Sequence, residues 1–381
     1  MSVQTVVKHK THPSYRDAGI DVFRSLALLT IFINHIPGTL YEHITHKNFG
    51  FSDSAEVFVL LSGVSLGLSF HARLYQKSFV FIVRKLWQRA LQLYGAYLFT
   101  TFVTLSLFLG AFLLWRTEQL LMMNNVGLFY TQPFVAFLSI LSFGHQLGYN
   151  NILPLYITLM FFAPLLLYWS CKQKGLLLLG SFMLYLLCGV YEIAPPSYPL
   201  PGQWFLNPLS WQFLFVIGLI STFSLKQGKT IAYQHFWLVL AVGYLLLSLL
   251  SVRLNWWGVI EWFGWSSSPL MNFNKTFLSL PRLLHVIALA TLFLCLPRLS
   301  ACFRVSPQHL LAILGKHSLP VFVTGTVFAM FGQVLKTVMT GTFFSDTLLI
   351  VSGIIAQFGV AYYCDKRRSL QRFSAKKPIS L

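Results

Sequence analysis

The residues whose types and spacing suit chemistry begin with Asp21, Arg24 and His35. Asp21 and Arg24 are three apart in Arg16-Asp17-Ala18-Gly19-Ile20-Asp21-Val22-Phe23-Arg24, so on a helix they share a face. His35 follows Arg24 by eleven residues. That is about 20° past three full turns, so the imidazole lies on the same face, about 16 Å further along. A snorkelling arginine and an interfacial histidine would account for each alone. Asp53 and Glu56 follow, again three apart, at the start of the next apolar run and near the end that carries His35. Capping of a helix N-terminus explains Asp53; it does not explain Glu56, one turn deeper. A carboxylate beside an imidazole suits a general base that must be oriented and must carry transient positive charge. His35, Asp53 and Glu56 are therefore the candidate catalytic group.

A different chemistry is suggested by Arg84, Lys85 and Arg89, reinforced by Arg73 and Lys77. Arginine presents donors in a fork that fits phosphoryl oxygens, although topology alone also places cations in such a link. Two further pairs, Arg282 with His285 and Lys316 with His317, are candidates for holding a carboxylate or for a structural role. No metal site is expected. The cysteines, Cys171, Cys188, Cys295, Cys302 and Cys364, form no CxxC pair and have no histidine at ligand spacing.

The elements that must position these groups are membrane helices. The chain has 381 residues, 56% hydrophobic and 10% charged, where a soluble domain carries about 25% charged residues. Apolar runs of about 17 to 25 residues recur, each able to cross about 30 Å of hydrocarbon. Ten are expected, near 20–37, 55–71, 88–114, 153–169, 176–190, 205–223, 235–252, 282–297, 311–333 and 346–363. The run Phe134 to Phe143 is too short and reads as an interfacial or re-entrant piece. The fold class is thus an all-α polytopic bundle: a tail at 1–19, a membrane domain at 20–363 and a basic tail at 364–381. The polar start lacks a short cleavable signal pattern, so the first apolar run is expected to remain as a helix.

With the N-terminus inside, 20 of the 28 basic residues fall in cytoplasmic segments and five in outer ones. That asymmetry supports an even number of spans with both termini in the cytoplasm. The net charge of +18 is spread over short links between apolar runs, which fits orientation and anionic lipid rather than nucleic acid. Outer links rich in aromatic residues, around Tyr191 and around Trp256, Trp257, Trp262 and Trp265, fit a headgroup belt or a platform for a sugar ring. Small residues in Leu61-Ser62-Gly63-Val64-Ser65-Leu66-Gly67 allow close helix packing.

Asp21-x-x-Arg24 with His35 eleven residues on resembles the first helix of the membrane acyltransferase-3 superfamily. Asn34-His35-Ile36-Pro37-Gly38 and the stretch from Asn48 through Asp53 and Glu56 to Gly63 resemble its OpgC branch. So do Asn207-Pro208-Leu209-Ser210-Trp211-Gln212, Arg282-Leu283-Leu284-His285 and Leu314-Gly315-Lys316-His317-Ser318-Leu319-Pro320. The resemblance covers about residues 15 to 365. It implies a bacterial inner-membrane enzyme that succinylates osmoregulated periplasmic glucans from cytoplasmic succinyl-CoA. The matching positions for chemistry are Arg24 and His35, while Asp53 and Glu56 belong to the OpgC-like pattern. The partners implied are acyl-CoA inside, a periplasmic glucan outside and membrane lipid. Acyl-CoA would be a co-substrate, with no tightly bound cofactor.

Spacing and resemblance together suggest a route. The phosphates of acyl-CoA would dock near Arg84, Lys85 and Arg89, its pantetheine arm would pass Arg24, and the thioester would reach His35. His35, oriented by Asp53 or Glu56, would take the proton of a sugar hydroxyl. Direct attack and an acyl-imidazole intermediate both remain open. The competing readings are O-acetylation of another surface glycan and a proton-coupled transporter or flippase. Against the latter, no pair of interrupted helices recurs in corresponding halves.

Overall fold

A computed structural model describes residues 18–226, 233–256 and 268–374. Among these residues the chain is all helical, with one isolated antiparallel bridge between Pro196 and Gln203 and no strand. Arg16, Trp257, Trp262, Trp265 and the end of the basic tail lie outside the described residues.

A helix stands at each of the ten expected positions. They are α1 (Ala18–Asn34), α2 (Ser54–Gln76), α3 (Phe79–Trp115) and, after the short α4 (Gln119–Met122), α5 (Gly127–Thr131) and α6 (Pro133–Leu141), α7 (Ile152–Lys172). Then come α8 (Lys174–Val190), α9 (Pro208–Lys226), α10 (Gln234–Arg253), α11 (Leu280–Cys295) and the short α12 (Pro297–Cys302) and α13 (Leu310–Lys316). The last two are α14 (Ser318–Val338) and α15 (Phe343–Ser374). Of the described helices, six are long and apolar enough to cross a membrane: α2, α3, α7, α10, α14 and α15. The helices α8, α9 and α11 are apolar but shorter, and α1 has 17 residues, Asp21 and Arg24 among them. Ten spans were expected; six helices reach spanning length. Large apolar side chains stand exposed along them, such as Leu91 and Phe102 on α3, Val239 on α10 and Ile355 on α15. Such a surface is a liability in water and the natural contact face in lipid. This is a membrane protein.

Two departures from the hydropathy pattern have local causes. The run expected over 311–333 is divided at His317 into α13 and α14. Pro320 supplies no amide proton for the Lys316 carbonyl, and its ring crowds that same group. The run Phe134 to Phe143 becomes α6, nine residues or about 14 Å long, packed beside α3. Tyr97 on α3 donates from its hydroxyl to the carbonyls of Ile140 and His145. The last helix also continues past residue 363 to Ser374.

The centre of the bundle is α1, which buries Asp21, Val22, Arg24, Ser25, Ala27, Leu28, Ile31 and Phe32 and packs against α2, α13 and α14. Pro37 and Gly38 follow its end, Gly38 with φ +79°, so the chain turns there rather than continuing. The small-residue stretch of α2 packs on α9. A Cβ on Gly63 would lie 2.0 Å from the Phe215 carbonyl oxygen, and one on Gly218 would lie 2.3 Å from that of Leu60. The two backbones thus touch, which fixes the direction of α2 and of the carboxylates at its start.

Candidate active site

At the Asp21 end of α1, Arg24 is folded back onto its own helix. Its Nη1 donates to Asp21 Oδ1 at 3.0 Å and to the Gly315 carbonyl at 3.3 Å, and its Nη2 bonds the Ser65 hydroxyl. Both charged groups are buried, so the pair locks α1 to α2 and α13. Directly after Gly315, Lys316 and His317 converge on Asp365 of α15, His317 Nε2 lying 3.1 Å from Oδ1. The proposed phosphate cluster divides. Arg84 and Lys85 are exposed, with no ion pair among the described residues, whereas Arg89 is half-buried and bonds Gln92 at 3.3 Å. Arg89 lines a small, partly open cleft with Phe58, Leu93, Ile152, Tyr156, Ser318 and Phe322, between α2, α3, α7 and α14.

At the other end, Asp53 and Glu56 form a closed capping box. The Ala55 amide donates to Asp53 Oδ1 at 2.8 Å, and the Asp53 amide donates to Glu56 Oε2 at 2.9 Å. Capping therefore does account for Glu56, contrary to the expectation from spacing, because the side chain reaches back to the first amide. The outer oxygens of both acids are taken by cations. Arg282 Nε donates to Glu56 Oε1 at 2.7 Å, Arg282 Nη2 reaches Asp53 Oδ2 at 3.3 Å, and Lys275 Nζ lies 2.5 Å from Asp53 Oδ2. Burial alone would raise the Asp53 carboxyl, but Lys275 and then Arg282 hold it well below the usual carboxylate range. The His35 ring has no hydrogen bond to either acid among the described residues. Direct orientation of His35 by Asp53 or Glu56 is therefore replaced by a carboxylate–cation network beside it. The charges whose fields reach His35 are those of Lys275 and Asp53.

His35 is fixed by other means. Gln333 of α14, 2% exposed, donates from Nε2 to the His35 carbonyl at 2.6 Å and accepts from Asn124 Nδ2 at 2.7 Å. The Tyr149 ring lies against the imidazole, centroids 4.6 Å apart. Asn124 and Tyr149 both have positive φ, 56° and 66°, a conformation non-glycine residues hold only when their surroundings enforce it. The segment between α3 and α7 is thus shaped to press on His35 from two points. Lys336 secures the following turn, donating to the Gly38 carbonyl and to Asp346.

A family model described as OpgC protein matches residues 16–369, nearly the whole chain. The chain belongs to the OpgC family. No curated protein and no solved structure matches it. Membership brings transferase activity of the glucan-modifying acyltransferase type.

The OpgC motifs now have physical tasks. Asn207 caps α9 and bonds the Ile193 carbonyl, and Trp211 Nε1 donates to the Lys275 carbonyl at 3.0 Å. They fasten the loop that presents Lys275. Arg282 and His285, read as one pair, act separately: Arg282 on the two acids, His285 on the Ser52 hydroxyl at 2.7 Å. Lys316 and His317 do act together, on Asp365. Sequence reasoning missed Lys275, Gln333, Asn124, Tyr149 and Asp365 as parts of either end. A buried amide such as Gln333 in an otherwise apolar span was the clearest available signal.

Proposed function

We propose that this OpgC chain moves an acyl group, succinyl in the first instance, from cytoplasmic acyl-CoA to a hydroxyl of a periplasmic glucan. The bacterial inner membrane is its location, with the Asp21 end facing the cytoplasm. One observation carries the reading: the charged motif residues gather at the two ends of one buried helix, α1, with His35 at one end and Arg24 at the other. A small cleft between α2, α3, α7 and α14, lined by Arg89 and Phe58, is the point of entry assigned to the acyl-pantetheine arm. The CoA phosphates meet Arg89, with Arg84 and Lys85 adding field from the surface.

His35 takes the proton of the acceptor hydroxyl as its oxygen attacks the thioester carbonyl. The C–S bond breaks, an ester forms, and the proton passes to the departing CoA thiolate. Lys275 and Arg282, held in place by Asp53 and Glu56, supply positive field where the carbonyl oxygen gains charge. Gln333 and Tyr149 keep the imidazole in line.

The test is incorporation of labelled succinyl groups into periplasmic glucan. His35→Ala at normal protein level should lower it by about 10²-fold or more, the usual scale for a lost general base. Wild-type incorporation in His35→Ala would overturn the assignment of His35.

A further inference from the structure

Beside the network lies a second group of imidazoles to which the transfer chemistry above gives no task. His46 sits on the short turn His46–Asn48, its ring stacked on that of His285 with centroids 5.8 Å apart. Both sides of the His285 ring are occupied. Its Nδ1 lies 2.7 Å from the Ser52 hydroxyl, and Nε2 faces Gly50, where a Cβ would come within 1.9 Å. Only glycine permits that approach. His46 is different: its Nε2 is buried and has no hydrogen-bond partner among the described residues. A buried polar atom left in this state costs stability and is retained where a ligand completes it.

The surroundings indicate which ligand. Burial pushes the His46 pKa below the ordinary histidine value; Asp53 opposes the shift and Arg282 adds to it. The ring is therefore neutral at pH 7, and with the proton on Nδ1 its Nε2 is a hydrogen-bond acceptor. Phe49, the exposed residue that follows the turn, carries the Arg253 guanidinium over its ring at 4.7 Å. An acceptor nitrogen three residues before an exposed aromatic ring, the two joined by the Phe49 amide donating to the His46 carbonyl at 3.0 Å, suits a polyhydroxylated ligand, with a ring to stack and a hydroxyl to donate. We propose that His46 Nε2 receives a hydroxyl of the acceptor glycan, so that His46, His285 and Ser52 form its alcohol-binding subsite. The proposal rests on the acyl-transfer reading, because it says where the alcohol of that reaction is held.

The experiment uses full-length protein in lipid nanodiscs. Binding of a β-glucan oligosaccharide is measured calorimetrically without acyl-CoA, and transfer from succinyl-CoA is measured in parallel. His46→Phe keeps the stack on His285 and removes the acceptor nitrogen; His46→Gln keeps a hydrogen-bonding group. The dissociation constant should rise about tenfold in His46→Phe, the loss expected for one hydrogen bond, and less in His46→Gln. The acyl-CoA KM should stay within about twofold, since His46 makes no donor contact. Equal affinities for wild type and His46→Phe, or no binding by wild type, overturn the subsite. A wild type that binds the oligosaccharide but never acylates it overturns the acyl-transfer reading and leaves the subsite standing.

Discussion

The two ends of α1 use charge in opposite ways. Beside His35, two acids face two cations, each acid gives one oxygen to a backbone amide and the other to the cations, and Glu56 is fully buried. At the Arg24 end, the Arg24–Asp21 pair is buried, and several cations on that side have no ion pair among the described residues. Arg84 and Lys85 are exposed, as are Arg367 and Arg368 beyond Asp365. A closed network holds geometry, because no member can move without stranding another charge. A surplus of exposed charge holds nothing in place and instead raises the local concentration of anions. The difference fits a bond-making end and a donor-docking end.

The largest expected effect breaks the closed end. Arg282→Ala leaves Glu56 buried without its guanidinium and should cost about 3–5 kcal/mol of stability, the usual range when one partner of a buried pair is removed. Thermal unfolding of the detergent-solubilised protein reads this directly. Arg282→Met combined with Glu56→Gln should recover a good part, because neither partner is then stranded. A loss under about 1 kcal/mol for Arg282→Ala would mean that water reaches Glu56 and the network is not closed.

A smaller effect tests whether the closed end serves His35. Gln333→Leu removes the clamp on the His35 carbonyl and strands the Asn124 amide. Each unsatisfied group costs about 1–3 kcal/mol. The informative readout is kinetic: kcat should fall about tenfold with the acyl-CoA KM unchanged, since a misplaced base affects the transition state alone. Gln333→Glu, which still accepts from Asn124 but cannot donate to His35, should not restore kcat. A rise in KM at constant kcat would assign Gln333 to the donor path.

Much of the bundle was legible because run length and the positions of basic residues are local properties. The ten helix positions follow from them, and so does the packing face Gly63-Val64-Ser65-Leu66-Gly67. The break at His317 was not read from the sequence, in which 311–333 is one apolar span, although Pro320 is its local cause. Pairing was not legible. Glu56 and Arg282 are 226 residues apart, and nothing in either stretch distinguishes a partner from a topology charge. Lys275 looked like one more outer cation for that reason. Spacing did place Asp53 and Glu56 on one face, but it could not say that Glu56 turns back to close the capping box rather than forward to His35. The role of the segment between α3 and α7 was equally hidden, because positive φ at Asn124 and Tyr149 is imposed by neighbours rather than by composition.

The smallest expected effects separate the members of the docking end from one another. Arg84 and Lys85 are exposed while Arg89 is half-buried at the cleft, so salt should distinguish them. Interactions of exposed charges are screened over about 10 Å at 0.1 M salt and about 3 Å at 1 M. Arg84→Ala and Lys85→Ala should each raise the acyl-CoA KM by about twofold at low salt and leave it unchanged at high salt. Arg89→Ala should raise it by about tenfold, the scale of one lost charged hydrogen bond, and that rise should persist at high salt. Neither Arg84→Ala nor Lys85→Ala should move the unfolding temperature much, since exposed substitutions shift stability by about 0.5 kcal/mol or less. If Arg89 followed the same salt dependence as Arg84, it would act through field alone, and the cleft it lines would lose its claim to the donor.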